Sequence, residues 1–228
     1  MKRVLLGVLF VLFLAPAALA AYLWLTWADV ARLPELRSGD IVFHTDNTSQ
    51  TLAIMMASGS LYTHTGIIKI SEGGEPYVVE AVGPVREVSL DEWIHEGLGG
   101  RLTVMRVRDL SPEQAADVLE AAKSYYGKPY DPFFTFDTDR IYCSELVYNA
   151  FQDGAGLALG RIQTIGELQT NNRPVQMVIA RRWSAFPPCQ SQGIDTLESC
   201  LPLIHKQELI TPVSLSQDER LEEIFSNY

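Results

Sequence analysis

Residues Val4 to Trp27, VLLGVLFVLFLAPAALAAYLWLTW, contain no charged side chain, and Lys2 and Arg3 precede them. A terminal apolar run with a positive head belongs in lipid or in an export channel rather than on the surface of a globular domain. This run therefore separates the chain into a leader and a folding unit. Two outcomes are open for the leader. Ala18-Leu19-Ala20 fits a small-x-small cleavage site, which would release residues 21–228. Alternatively the run stays as a membrane anchor, with Trp24 and Trp27 at the far interface. No cysteine lies in this stretch, which argues against a lipid-modified N-terminus. Residues 1–27 are thus expected to be a signal peptide or membrane anchor, and residues 28–228 one exported domain in the cell envelope. That places it in the periplasm or at the outer face of an inner membrane.

The exported part is acidic. The 228 residues carry 18 Lys+Arg against 28 Asp+Glu, a net −10, and both leader charges are positive. Such a balance excludes nucleic acid as a partner, because phosphate neutralisation needs a basic face. It also predicts poor attraction to an anionic leaflet, so contact with a membrane would depend on an uncleaved N-terminal segment. With 47% hydrophobic residues the chain can bury a core and is not intrinsically disordered. Cys189 and Cys200 lie 11 positions apart in PPCQSQGIDTLESCLP. An oxidising compartment would let them pair as a disulfide stapling a surface loop. Cys143 is then left as a lone thiol.

Patterning predicts mixed structure, an α+β class. DIVFH (Asp40 to His44), TGIIKI (Thr65 to Ile70), YVVEAV (Tyr77 to Val82), Val85 to Val88 and LTVMRV (Leu102 to Val107) read as strands. SQTLAIMMA (Ser49 to Ala57) reads as a short helix. Ser111, Pro112 and Gln114 form a capping box that opens a helix running to about Tyr126. A second helix is predicted from Cys143 through about Gln152, before Gly154. PVQMVIARRW (Pro174 to Trp183) reads as a further strand, and the tail from Ser214 stays open between helix and extended chain.

Three places carry the chemistry. Cys143 begins the amphipathic helix YCSELVYNAF, where unpaired amides and the helix dipole favour a thiolate and could hold an oxyanion. A buried inert thiol is the alternative. His64, at the head of THTGII, titrates near neutrality and could act as a general base; a hydrogen-bonded structural histidine is the alternative. Glu80 falls in a run that should be buried, so it needs a partner, and orienting His64 would supply one. A sheet-edge Glu in contact with water is the competing reading.

The order GDIVF, THTGII, VVEA, YDPFF and YCSELV resembles the permuted papain-like hydrolases of the YiiX/YaeF type, within the wider NlpC-type cysteine hydrolase superfamily. The likeness runs from Arg37 to Phe151 and extends to ITP (Ile210 to Pro212). It implies a circularly permuted papain-like fold, a small antiparallel sheet or partial barrel packed on helices. It also implies a thiol hydrolase, an amidase or peptidase, with Cys143 as nucleophile, His64 as base and Glu80 as orienting group. Neither TDNTSQTLAI nor the region from Ala155 to Cys200 matches a motif of that group; the latter is expected to be an insertion shaping the groove.

The substrate class stays open among a peptide, an amino-acid amide and a lipid. Tyr125, Tyr126, Tyr130, Phe133, Phe134 and Phe136 crowd the approach to Cys143 and could line an apolar groove, or pack the core. The acidic body favours substrates with free amines. A lipid acyltransferase or esterase of the lecithin retinol acyltransferase type, and a non-catalytic amino-acid or lipid binder, are the rival functions. No cofactor is expected. No metal is expected either, since His44, His64, His95 and His205 show no HxxxH or HExxH spacing and the cysteines no CxxC.

Overall fold

The computed structural model describes residues 27–228; the expected leader, apart from Trp27, lies outside the described residues. The first half of the chain gives β1 (Ile41–His44), α1 (Thr51–Ser58), β2 (His64–Ile70), β3 (Pro76–Glu80), β4 (Arg86–Ser89), α2 (Leu90–Glu96) and β5 (Thr103–Val107). Then come α3 (Pro112–Lys123), α4 (Cys143–Ala155), β6 (Gln163–Thr164), α5 (Arg173–Arg182), α6 (Pro187–Ser191), α7 (Leu197–Lys206), β7 (Glu208–Leu209), α8 (Pro212–Ser216) and β8 (Leu221–Ser226).

Six strands form one antiparallel sheet in the order β4-β3-β2-β1-β5-β8, and β6 pairs β7 separately. Both faces of the large sheet are covered. Ile41, Phe43, Ile67 and Val79 pack with Val118, Leu146, Val147 and Phe151 of α3 and α4. Val42, Ile68, Val78 and Val104 pack with Leu90, Trp93 and Ile94 of α2 and with Ala28. Burial on both sides is why IVF in β1 shows no polar alternation. Trp27 packs on this second face beside Gly100 and His95, and Ala28 N–H donates to Gly100 O at 2.9 Å.

The Ser111 capping box forms as its residues predict, with Ser111 Oγ accepting from Gln114 N and Gln114 Oε1 from Ser111 N. Helix α4 runs past Gly154 to Ala155. A Cβ on Gly154 would come 2.5 Å from the Val118 backbone, so this glycine marks where α3 and α4 cross and does not stop the helix.

Two expectations are corrected. PVQMVIARRW is helix, not strand: Asn172 caps the Val175 amide at 3.1 Å, Pro174 sits in the first turn, and Val175, Val178 and Ile179 recur at helical spacing. The expected Cys189–Cys200 disulfide forms, closing the largely exposed 190–199 segment between α6 and α7, with its sulfurs buried in a small core with Phe186 and Ile204. Strand β3 ends at Glu80, so Val82, read as the end of that strand, is exposed beyond it. The undecided tail divides into α8 and then β8, which completes the sheet edge. Ser89 caps helix α2 by accepting from the Glu92 amide, in a stretch where the sequence patterning predicts no element.

Gly66, in THTGII, sits where a Cβ would meet Val78 Cγ1 at 2.4 Å and Val79 O at 2.9 Å, whereas Gly83 faces open space. Overpacking at a strand centre is costly, so Gly66→Ala is expected to lower the unfolding free energy by about 1–3 kcal/mol in urea titration. Gly83→Ala should stay within about 0.5 kcal/mol of wild type.

Candidate active site

Glu80 fixes the site. Its side chain is wholly buried, which ordinarily makes a carboxylate untenable unless its lone pairs are filled. Here they are. Oε2 accepts from His64 Nε2 at 2.7 Å and from Trp93 Nε1 at 3.0 Å, and Oε1 accepts from Arg86 Nε at 2.9 Å. The sheet register makes this possible, because Glu80 and Arg86 stand directly opposite across β3 and β4. Trp93 comes from α2, which starts where β4 ends. The water-facing alternative for Glu80 does not hold.

His64 opens β2 and is buried. With Nε2 committed to Glu80, Nδ1 is the ring atom left for another partner. Cys143, the first residue of α4, is close enough to the imidazole to be among the groups that raise its pKa. Burial pulls the His64 pKa down, but Cys143 and Glu80 outweigh it and push it up to about 10. Burial likewise opposes charge on Glu80, while His64 and Arg86 hold its carboxyl below the usual range. All three side chains singled out in the sequence are therefore neighbours.

Other members escaped notice. His44, at the end of β1, stacks on Trp93 (centroids 3.7 Å apart, 14° between planes) and lies 5.2 Å from the His64 ring. Burial and the His64 charge hold its pKa well below the ordinary imidazole value. Gly97 makes room for it, since a Cβ there would sit 2.6 Å from His44 Nδ1. The TDNTSQT segment also has a role. Asp46 Oδ1 accepts from Thr63 Oγ1 at 2.5 Å and Thr51 Oγ1 at 2.6 Å, and Oδ2 from Thr48 Oγ1 at 2.8 Å. It thereby pins the residue before His64.

Cys143 lies on the wall of a cleft. Ala53 and Ile54 of α1, Tyr130, Phe134, Val175 and Ile179 contribute much of the lining, and no Asp, Glu, Lys or Arg is among the lining residues. The unmatched region from Ala155 onward thus shapes the groove through Ile165, Leu168 and α5. Of the six aromatics expected at the approach, Tyr130 and Phe134 line this cleft. Phe133 packs on Phe186, and Phe136 on Tyr142 and Tyr148. Tyr125 and Tyr126 turn to Asp153 and Glu87.

Phe134 adopts φ +57°, an unusual conformation for a bulky residue. Asp131 accepts the Phe133 and Thr135 amides at 2.9 and 2.6 Å, and Gln207 Nε2 donates to the Phe133 and Phe134 carbonyls at 2.6 and 2.8 Å. Ile210, in ITP, flanks the thiol on both sides: its amide donates to Tyr142 Oη at 3.0 Å and its carbonyl accepts from Ser144 Oγ at 2.9 Å.

Among the described residues no three His, Cys, Asp or Glu side chains gather as metal ligands. Because the folded His64 pKa is raised, its contribution to stability is fully present below its unfolded value of ~6.5 and is lost as pH rises through about 10. Glu145, which burial pushes up to about 8, also costs stability as pH rises, so the comparison needs a variant. Between pH 6.5 and 10, wild type should lose more unfolding free energy than His64→Gln in denaturant titrations. Equal losses would mean that His64 carries no charge in the fold.

A family model described as "Permuted papain-like amidase enzyme, YaeF/YiiX, C92 family" matches residues 35–225. The chain is 39% identical over 155 residues to "Uncharacterized protein YiiX" of Escherichia coli K12, covering 68% of this chain and 76% of that one. It is 30% identical over 146 residues to "Probable lipoprotein peptidase YaeF" of the same strain, covering 59% of this chain and 50% of YaeF. The crystal structure of YiiX from E. coli O157:H7, described as a metalloprotein, superposes with a TM-score of 0.73 at 33% identity. The match covers 83% of this chain and 97% of that one. The chain belongs to the YaeF/YiiX (C92) family of permuted papain-like amidases.

Proposed function

We propose that this chain is an exported cysteine amidase in which Cys143 is the nucleophile, His64 the acid–base and Glu80 the orienting carboxylate. The observation that carries the reading is the 2.7 Å bond from His64 Nε2 to a fully buried Glu80, which leaves the other face of the imidazole to the sulfur. At neutral pH the proton resides on His64.

The sulfur attacks the amide carbonyl, forming the S–C bond and moving the C=O electron pair onto oxygen. Amides of the first turn of α4 have no carbonyl within their own helix to serve and are available to that oxyanion. The Tyr130 hydroxyl is a further donor. It lines the same cleft, and burial followed by the charges of Cys143 and Asp46 holds its pKa well above the ordinary value, keeping it protonated. The C–N bond then breaks as the His64 proton passes to the departing amine. The neutral imidazole next takes a proton from water, hydroxide adds to the thioester, and the acid is released as the thiolate leaves. Acid–base assistance of this kind is typically worth ~10²- to 10⁴-fold.

The cleft narrows the substrate. Its lining carries no charge, so it suits an apolar acyl or side-chain group beside the scissile bond. The acidic body had suggested amine-bearing substrates, a preference the uncharged lining does not share. A lipid-type acyl transfer on the same thioester is the second reading, favoured by that apolar lining. The leader, the disulfide and YaeF's description as a lipoprotein peptidase support placement in the cell envelope.

Cys143→Ala is expected to remove labelling by a thiol-directed probe and to lower amidase turnover by at least ~10³-fold, with the melting temperature close to wild type. An N-acyl amide with an apolar acyl group should be cleaved in preference to a charged stem peptide. Amidase activity persisting in Cys143→Ala would overturn the assignment.

A further inference from the structure

The carboxylate behind His64 has a second ion pair behind it. Arg86 Nη2 donates to Glu96 Oε1 at 2.9 Å and Oε2 at 3.0 Å, while Arg86 Nε donates to Glu80 Oε1 at 2.9 Å. Opposite charges therefore alternate from the His64 imidazolium through Glu80 and Arg86 to Glu96, with Cys143 on the other side of the imidazole. Its inner end is fully buried and its outer end reaches solvent, with Arg86 and Glu96 side chains 38% and 41% exposed.

From this row we infer that Arg86 and Glu96 are positioning residues that set how tightly His64 holds its proton, acting through Glu80. The inference rests on the reading of His64 as the acid–base. A general acid that must give up its proton and then recover one works best when it is bound neither too tightly nor too weakly. A lone buried Glu80 would bind the His64 proton too strongly. Arg86 draws on the same carboxylate from the other oxygen and repels the imidazolium. Glu96, by pairing Arg86, moderates that repulsion. Trp93 completes the arrangement by filling the remaining position on Oε2 and by stacking on His44.

The titratable groups facing His64 are Glu80 from β3, His44 from β1 and Cys143 from α4; Arg86 acts from β4 and Glu96 from α2. Removing Arg86 leaves Glu80 with His64 as its only cationic neighbour, so deprotonation of His64 then strands an unpaired buried anion. The His64 pKa must rise. Removing Glu96 frees the full Arg86 charge to act on Glu80, and the His64 pKa must fall.

The experiment is a titration of His64 followed by NMR of isotope-labelled histidine in the full chain, assigned with His64→Gln. Arg86→Gln is expected to raise the His64 midpoint by roughly 0.5–1 pH unit, and Glu96→Gln to lower it by a smaller amount. Arg86→Lys, which keeps the charge, should restore most of the wild-type midpoint. Shifts of opposite sign support the inference. An unmoved midpoint in folded Arg86→Gln, or shifts of the same sign, would overturn it. Should Arg86→Gln fail to fold, Glu96→Gln alone decides, because an upward or absent shift there contradicts the row. The readout is a proton affinity, not turnover, so it is separate from whether Cys143 is the nucleophile.

Discussion

A carboxylate with no exposure to water organises this molecule. Glu80 is stable as an anion only because three donors from three different elements reach it: His64 of β2, Arg86 of β4 and Trp93 of α2. Each donor must be delivered by the fold. The β3–β4 register puts Arg86 opposite Glu80, the β2–β3 pairing sets β2 beside β3, and the immediate start of α2 after β4 swings Trp93 under the sheet. Losing any one would leave part of a buried charge unanswered, at a cost on the order of 1–3 kcal/mol or more. Local packing and the geometry of the site are thus one constraint, seen from two sides.

The second half of the chain supplies what the sheet lacks. Helix α4 is held by its apolar face on β2 and against α3, and this presents Cys143 at its first turn to the head of β2. Chain far beyond Cys143 then finishes the surroundings. Ile210 ties down both neighbours of the thiol, Gln207 braces the backbone at Phe134, and α5 closes the cleft. The disulfide-linked pair α6 and α7 stands behind that wall, in a core shared with Phe133 and Ile179. Polar and apolar parts are segregated: a buried row of alternating charge on one side of the sulfur, an uncharged cleft on the other. In the proposed reaction His64 gives up and recovers a proton at the inner end of the row while a nonpolar group lies in the cleft.

Much of this was legible from sequence. Strands β1 to β5, the Ser111 cap and the start of α4 could be read from period and capping chemistry; a buried Glu80 demanded a partner, and it was the family resemblance that joined it with His64 and Cys143. The failures have specific causes. PVQMVIARRW shows β-branched residues and a short apolar run, which favour a strand by propensity; Asn172 and Pro174 are the helix-opening signals that decide it. Gly154 looked like a helix stop because only a three-dimensional crossing with α3 explains it. Arg86, Trp93 and His44 were missed as site members because their roles depend on cross-strand register and on an unanticipated helix, neither of which is local to their sequence neighbours.

The proposed turnover passes through a bond between the Cys143 sulfur and the acyl carbon. Rapid-quench mass spectrometry of the wild-type chain with an apolar N-acyl anilide reads that bond directly. An increment equal to the acyl group, mapped to the peptide containing Cys143 and decaying as the free acid appears, is the predicted result. Turnover of the same anilide with no adduct on Cys143 at any time, and undiminished in Cys143→Ala, would contradict it.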